Sequence, residues 1–273
     1  MRIATLRTGS QTQAILVDGP TSARVIEGFA DVGALLADAN WYAILLDVES
    51  EPIEFDPANL APVIPRPGKI ICVGLNYAKH IREMGHEQPE VPTLFIKYPE
   101  ALIGPYDTSV VPAFAAAKPD FEGELAVVIG APARNVSAAD ADSVIAGYTI
   151  INDFTMRDFQ NQTKQWHQGK SFEHTAGFGP WIDTDFKPGG LLTTRVNDAV
   201  MQQDSTGDLI FTPADLIEFI SRIYTLQPGD VIATGTPEGV GHARNPQVYL
   251  QDGDVVEISI EGIGSIKNAV AVR

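Results

Sequence analysis

One strand signal constrains this chain of 273 residues more than any other feature. Residues 125–129 form a short apolar run that is rich in β-branched side chains and is bounded by glycines, which is typical of a buried strand. Glu122 and Glu124 stand at its start. Because residues two apart in an extended chain face the same side, the two carboxylates are expected to point to one place. The same pair could instead end a strand at a wet surface.

A third carboxylate, Asp153, ends the apolar run of residues 148–152. Burying like charges close together is costly unless a cation lies between them. Oxygen donors suit magnesium, manganese or calcium better than zinc, whose sites favour histidine and cysteine. The sequence therefore predicts a divalent-metal site at Glu122, Glu124 and Asp153.

Composition and charge limit the classes of partner. A content of 44% apolar residues can form a substantial core, while the net charge of −16 argues against nucleic acid or an anionic membrane as a partner. An anionic substrate would need a locally positive pocket, which a metal ion and a lysine could supply. No apolar run approaches the ~18 residues of a membrane span, and the N-terminus lacks the apolar core of a signal peptide, so the cytoplasm is the expected location.

Histidine and cysteine offer little further chemistry. The single cysteine, Cys72, excludes an intrachain disulfide and a four-cysteine metal site, and its apolar surroundings indicate a small packed side chain. No two histidines have the spacing of zinc ligands on one helical turn. Four histidines have no predicted role, namely His86, His167, His174 and His242.

The first part of the chain carries no recognisable chemistry. Strands are predicted over residues 3–6 and 14–17, and a helix is predicted over residues 30–39. Residues 61–68 contain three prolines and resemble a connection between two parts. We therefore predict a small N-terminal domain over residues 1–64 and a main domain over residues 65–273.

The main domain shows two helix starts. Ser137 with Asp140 resembles a capping box for a helix through residue 146, with Gly147 at the stop position. Thr212 is followed by a proline, with Asp215 behind it, and marks a clearer start.

Strands are predicted at residues 231–235 and at 256–260, the second with one wet face. The polar segment 81–92 contains a glycine and two prolines, and it is predicted to be a loop that can close over a site. Strands dominate, so the expected class is α+β, mostly β.

Taken in order, these residues resemble the fumarylacetoacetate hydrolase family. The matches run collinearly from about residue 65 to the C-terminus, and their joint order is specific although no single motif is. The matching segments are 72–80 (CVGLNYAKH) with Glu83, 121–124 (FEGE), 151–153 (IND), 155–158 (TMRD), 169–172 (GKSF), 179–180 (GP) and 235–240 (GTPEGV). The resemblance implies a mixed, rolled β-sheet with flanking helices after a small N-terminal domain, usually in a homodimer.

The resemblance also implies roles for nine residues. Glu122, Glu124 and Asp153 would bind one Mg²⁺ or Mn²⁺. His80 and Glu83 would form a catalytic pair on a mobile lid, Lys170 would be the catalytic lysine of the pocket, Arg157 and Gln160 would contact the substrate or brace the site, and Thr236 would touch the substrate carboxylate. Each has a plainer reading, since His80 and Glu83 could be a surface pair, Lys170 a solvated lysine and Thr236 part of a tight turn.

One position departs from the family pattern. Fumarylacetoacetases carry a fourth carboxylate seven residues before the histidine, and this position is Val73 here. The resemblance is therefore to the branch with three carboxylates, whose members differ in substrate and in reaction.

The chemistry expected from the resemblance begins with a 2-oxo acid bound to the metal ion, which makes the keto carbon an electron sink. The preferred hypothesis is hydrolysis of a carbon–carbon bond in a small 2,4-dioxo acid, such as an acylpyruvate or fumarylpyruvate from aromatic degradation. The alternative is a lyase that decarboxylates oxaloacetate or a related diacid, or an isomerase or dehydratase. A ligand-binding relative without catalysis is the third class.

Overall fold

The computed structural model describes residues 1–273, and it consists mainly of strands, as expected. The strands are β1 (Arg2–Thr8), β2 (Gln11–Gly19), β3 (Ser22–Val25), β4 (Pro52–Glu54), β5 (Ile70–Gly74), β6 (Thr93–Lys97), β7 (Leu102–Ile103), β8 (Ser109–Val111), β9 (Pro119–Asp120), β10 (Gly123–Ile129), β11 (Ile145–Asn152), β12 (Thr155–Met156), β13 (Ala176–Asp183), β14 (Leu191–Val196), β15 (Ala199–Ser205), β16 (Val231–Ala233), β17 (Val255–Ile260) and β18 (Gly264–Val272).

The helices are short, with one exception. The α-helices are α1 (Val32–Leu36), α2 (Trp41–Leu46), α3 (Ala78–Glu83), α4 (Arg157–Gln160), α5 (His167–Lys170) and α6 (Pro213–Ile223). The 3₁₀ helices are Pro57–Asn59, Pro99–Ala101, Ala113–Ala115, Ala138–Val144 and Gly241–Ala243. No helix has both the length and the apolar character needed to cross a membrane.

Two mixed sheets form the body of the protein. The larger has the strand order β4-β3-β2-β1-β13-β11-β10-β16-β5-β6, with β7 added beside β13, and the smaller has the order β15-β14-β17-β18-β8. Strands β5 and β16 run parallel, whereas β10 is antiparallel to both of its neighbours, β11 and β16. The carboxyl ends of β5, β11 and β16 and the start of β10 therefore meet at one edge of the larger sheet.

Strand β10 is buried on both faces, as its apolar sequence predicts. Leu125, Val127 and Ile129 pack in the core between the two sheets, together with alternate residues of β17. Ala126 and Val128 pack on the opposite face, against the N-terminal part of the chain. The predicted strand at residues 256–260 is likewise confirmed, with the buried side of β17 turned to the core and its other side partly wet.

The N-terminal strands continue the larger sheet. The strands predicted at residues 3–6 and 14–17 lie within β1 and β2. Strand β1 pairs with β13, where Ile3 lies opposite Ile182, so hydrogen bonds join the first residues to the rest of the molecule. The boundary between residues 1–64 and 65–273 stays a prediction.

Two helix predictions need correction. The helix predicted over residues 30–39 is shorter than expected, because only α1 lies in this range; it is capped by the Asp31 side chain, and a separate helix, α2, follows from Trp41. The segment from Ser137 forms a 3₁₀ helix in place of the predicted α-helix, and the predicted cap is absent, since the Ser137 hydroxyl donates to the Asp140 carboxylate and accepts from no backbone N–H. Gly147 is not a helix stop. It lies inside β11 with φ of 158°, where a Cβ would overlap the Asp183 carbonyl of β13.

The predicted loop at residues 81–92 also differs at its start. Helix α3 continues to Glu83, so the first three residues of this segment are helical, and only the remainder lacks regular structure. His80 and Glu83 therefore lie one helical turn apart, which places their side chains on the same face.

Helix α6 begins as predicted. The Thr212 side chain accepts from the Asp215 N–H, the Asp215 side chain accepts from the Thr212 N–H, and Pro213 occupies the first position of the helix. The apolar face of this helix, which includes Leu216, Ile217 and Ile220, packs in the core between the sheets.

The two candidate capping boxes allow a matched test. Thr212→Ala is expected to lower the free energy of unfolding by about 1 kcal/mol, because it leaves a helix N–H unpaired. Ser137→Ala is the control and is expected to change it by less than about 0.5 kcal/mol, since the Ser137 hydroxyl bonds only an exposed carboxylate. Urea unfolding followed by circular dichroism measures both, and equal losses would contradict the capping assignment.

Candidate active site

The three predicted metal ligands lie together at the edge where β10 begins and β11 ends. The antiparallel pairing sets Glu124 opposite Ile151, and the Asp153 N–H donates to the Glu122 carbonyl at 2.8 Å. One carboxylate oxygen from each of Glu122, Glu124 and Asp153 lies within 4.8 Å of the others, and all three residues are buried. The convergence follows from the pairing of the two strands.

Buried cations surround two of these carboxylates. Lys170 Nζ lies 2.6 Å from Glu122 Oε2 and 2.7 Å from Asp153 Oδ2. Arg157 Nη2 lies 2.7 Å from Glu122 Oε1, and Lys97 Nζ lies 3.0 Å from Asp153 Oδ1. Glu124 has no such partner, and its Oε2 accepts only the Gly235 N–H at 2.8 Å.

This unequal pairing separates the acidities of the two glutamates. Burial favours the neutral form of Glu122, but the charges of Lys170 and Arg157 outweigh burial and lower its pKa to about 2. Burial raises the pKa of Glu124 well above its ordinary value, and the negative charges of Asp153 and Glu122 raise it further. Without an added cation, Glu124 is the carboxylate that is hardest to ionise.

The residues fit a divalent cation. Asp120 is also buried here, so four carboxylates face three cations and leave a formal net charge of −1. Asp153 Oδ1 has no hydrogen-bonded partner, although Lys97 is near, because the angle is poor. Hard oxygen donors with free lone pairs are the ligands of Mg²⁺-like ions. The triad of Glu122, Glu124 and Asp153 could therefore hold a divalent metal ion.

The predicted pair on α3 is held in place from two sides. His80 Nδ1 lies 2.7 Å from Glu83 Oε1, and the Gly239 N–H donates to both oxygens of Glu83 at 2.9 and 3.0 Å. Gly239 has φ of 102°, and a Cβ there would overlap the Met201 carbonyl. Only glycine fits this position readily. The loop after β16 can therefore take the conformation in which its backbone N–H holds Glu83.

One cavity of about 200 Å³ joins these groups. It is below the volume of drug-sized pockets, which suits a small metabolite. Seven of the nine predicted site residues border it: His80, Glu122, Glu124, Arg157, Gln160, Lys170 and Thr236. The other two lie directly behind, with Glu83 against His80 and Asp153 against Lys170. Val73 borders the same cavity, at the position of the family's fourth carboxylate.

Thr236 is engaged by the protein itself. Its hydroxyl donates to the Gly123 carbonyl at 3.1 Å and accepts from Gln202 Nε2 at 2.7 Å. These bonds tie the loop after β16 to β10 and β15, and contact of Thr236 with a substrate stays a prediction. The catalytic and substrate-binding roles of the other site residues also stay predictions.

Sequence reasoning missed four residues that organise the site. Lys97 ends the apolar strand β6. A charged residue at the end of an apolar strand was the only sequence signal that could have pointed to it. Asp120 accepts from Arg157 Nε and from the N–H groups of Gly241 and His242. Gln202 Oε1 accepts from the Gly123 N–H, while its amide nitrogen donates to the loop after β16. Asp120, Gln202 and the fourth residue, His242 at the cavity wall, have no local sequence signal.

An acidic triad, a histidine–glutamate pair and buried cations around one small cavity define an enzyme-like site on a mixed β scaffold. The family model described as fumarylacetoacetate (FAA) hydrolase C-terminal matches residues 69–271. This chain belongs to that family, whose members are enzymes.

Relatives with several activities are similar to this chain. The mitochondrial oxaloacetate tautomerase Fahd2a of Rattus norvegicus is 42% identical over 216 residues, which cover 77% of this chain and 68% of that protein. A 5-carboxymethyl-2-hydroxymuconate delta-isomerase of Mycobacterium smegmatis has a TM-score of 0.81 at 36% identity, covering 100% of this chain and 99% of that one. A fumarylacetoacetate hydrolase of Exiguobacterium antarcticum has a TM-score of 0.87 at 34% identity, covering 100% of both chains.

The unpaired Glu124 predicts how stability depends on pH. In protein treated with EDTA, Glu124→Gln is expected to be more stable than wild type at pH 8. A raised pKa means that the folded state retains a proton that the unfolded state loses, so wild type loses stability as the pH rises above the ordinary value of 4.5. The advantage of the variant should therefore shrink toward pH 5.

Thermal melting at pH 5 and pH 8 measures this difference. Glu54→Gln, on the exposed strand β4, is the control and should show no such pH dependence. If the gain in melting temperature of Glu124→Gln were the same at pH 5 and pH 8, the raised pKa of Glu124 would not be its cause.

Proposed function

We propose that this chain catalyses proton transfer beside the keto group of a small 2-oxo acid, and that oxaloacetate is its first candidate substrate. The observation that carries the proposal is the His80–Glu83 pair, with His80 at the wall of the cavity that Glu122 and Glu124 of the acidic triad also border. The similarity to an oxaloacetate tautomerase and to an isomerase supports the same class of reaction.

The tautomer of His80 follows from its partner. An ionised carboxylate only accepts hydrogen bonds, so Nδ1 of His80 carries the proton that faces Glu83, and Nε2 keeps its lone pair. Nε2 can then remove a proton from C3 of the substrate and return that proton to the keto oxygen, which completes the enol and restores the neutral ring. The reverse steps return the keto form.

The metal ion that we propose is Mg²⁺ or Mn²⁺, held by Glu122, Glu124 and Asp153. When bound, it would withdraw electrons from the keto and carboxylate oxygens of a 2-oxo acid. Lys170 lies between Glu122 and Asp153, where it holds both side chains in place and adds positive charge beside the developing enolate. Arg157 holds Glu122 from the other side.

Hydrolysis of a 2,4-dioxo acid is the second candidate. The observation that favours it is the same Nε2 of His80, which could take a proton from water and let hydroxide attack C4. The similar fumarylacetoacetate hydrolase supports this reading. Decarboxylation of oxaloacetate needs the electron sink but no activated water, so it should depend less on His80. A homodimer, a cytoplasmic location and the absence of nucleic-acid and membrane partners remain proposals.

One substrate panel tests the function. Purified protein with Mg²⁺ or Mn²⁺ is offered oxaloacetate, acetylpyruvate and fumarylpyruvate, and products are followed by NMR. The keto–enol exchange of oxaloacetate is expected to be fast, and His80→Ala is expected to lower its kcat by about 10²- to 10⁴-fold, as for loss of a general base. His174→Asn, an exposed residue outside the cavity, is the control.

Each outcome of this panel has a definite reading. If acetylpyruvate and fumarylpyruvate are cleaved while oxaloacetate shows no catalysed keto–enol exchange, the chain is a hydrolase and the tautomerase proposal is wrong. If every substrate stayed unchanged while still binding, the ligand-binding class would be correct.

Metal binding has its own test that does not use activity. Saturating Mn²⁺ is expected to raise the melting temperature of wild type, since a ligand at about 100 times its Kd adds about 2.7 kcal/mol to the stability of the folded state. Glu124→Gln should remove most of this increase, whereas Glu54→Gln should retain it. An equal increase in both variants would place the ion elsewhere.

A further inference from the structure

His242 borders the cavity, and the proposed chemistry does not use it. Arg157 and Gln160 border the same cavity. The His242 N–H donates to Asp120 Oδ2 at 2.9 Å, and the same oxygen accepts from Arg157 Nε at 2.8 Å. The fully buried carboxylate of Asp120 therefore fixes His242 and Arg157 relative to each other.

The contacts of His242 define its tautomer. Gln247 Nε2 donates to the His242 carbonyl at 2.8 Å, which orients the amide so that its NH₂ group faces the histidine. The same nitrogen lies 3.4 Å from Nδ1, and the Tyr249 hydroxyl lies 2.8 Å from Nδ1. An amide NH₂ can only donate, so Nδ1 accepts and the ring proton lies on Nε2. Burial and the nearby charge of Arg157 lower the pKa of His242, in agreement with a neutral ring.

Two donors that border this cavity, on His242 and Gln160, have no acceptor in the protein. Nε2 of His242 makes no hydrogen bond. Arg157 is already paired, with Nη2 2.7 Å from Glu122 Oε1, so it contributes positive charge to this side of the cavity. Gln160 Oε1 accepts from Arg157 Nη1 at 3.0 Å, so the amide NH₂ of Gln160 remains free to donate. A carboxylate, which accepts through two oxygens, is the ligand group that satisfies such a set.

Resting on the proposed function, we propose that the Nε2–H of His242 binds the distal carboxylate of a 2-oxo diacid, and that His242 thereby selects diacids over 2-oxo monoacids. The keto-acid end lies toward the triad of Glu122, Glu124 and Asp153. The distal carboxylate lies toward Arg157, Gln160 and His242. His242 is in this role a specificity residue, and it takes no part in the proton transfer.

The test compares two substrates that differ at the distal end. Exchange of the C3 protons of oxaloacetate and of 2-oxobutyrate into D₂O is followed by NMR for wild type, His242→Ala and His242→Gln. In His242→Ala, kcat/KM for oxaloacetate is expected to fall by about 10- to 100-fold, mostly through KM, as for a lost hydrogen bond to a charged group. The kcat/KM for 2-oxobutyrate should change by less than about twofold.

The conservative variant and a control complete the kinetic arm. His242→Gln places an amide nitrogen near the position of Nε2 and should restore part of the preference for the diacid. His174→Asn should leave both substrates unaffected. Equal losses for the two substrates in His242→Ala, or no loss for either, would overturn the proposal.

A binding arm separates this inference from the proposed function. Wild type and His242→Ala, loaded with Mn²⁺, are titrated by calorimetry with malate and with lactate, which differ by the same distal carboxylate and do not react. Tighter binding of malate by wild type, lost in His242→Ala, would support the inference even if neither 2-oxo acid exchanged its protons. A preference that is absent from wild type or retained in His242→Ala would overturn it.

Discussion

The close approach of three buried carboxylates is the constraint on which the rest of the site depends. Glu122, Glu124 and Asp153 meet because β10 and β11 are antiparallel neighbours, and their repulsion must be balanced inside the protein. Lys170 bridges two of them. Removing one partner of such a buried pair typically costs 3–5 kcal/mol, because a charge remains without compensation. The cations therefore maintain the fold at this edge as well as the chemistry.

The balance of charge is incomplete at one member of the triad, Glu124, and this suits the site to a divalent cation. Glu124 has a backbone donor but no cation, which raises its pKa. A fourth buried cation would have neutralised the centre and left no ligand set. The chain instead leaves three oxygens close together with a formal negative charge, which a divalent ion bound there would reverse. The anionic substrate that we propose could then enter a protein whose overall charge is −16.

Side chains, more than regular structure, fix the loops around this centre. Asp120 accepts from four N–H groups, three of them in the backbone, and so ties the start of β10 to Gly241 and His242. Gln202 holds Gly123 with one end of its amide and the loop after β16 with the other. Because backbone groups in buried loops must be paired, these two residues make the wall rigid before a ligand binds. Glu83 depends on the same loop, since its partner is Gly239.

Sequence reasoning succeeded where a residue carries its own local signal. The buried strand β10 and the start of α6 follow from apolar runs and capping residues, and the family motifs identified the residues that border the cavity. It failed at residues 137–146, where the predicted cap bonds a carboxylate in place of the backbone. It also could not find Asp120 or Gln202, because their partners lie far away in sequence and only the tertiary fold brings them together.

The division of labour in the cavity explains why related enzymes with one scaffold can carry different activities. In the function we propose, the triad and Lys170 would act on the keto-acid end, which every candidate substrate shares, and would stabilise an enolate whichever bond is changed. His80 would move a proton to or from carbon or water according to what lies beside it. Selection of the substrate must then come from groups that face its other end. For this chain we propose that those groups are the free donors of Gln160 and His242 beside the charge of Arg157, and Asp120 sets the positions of Arg157 and His242.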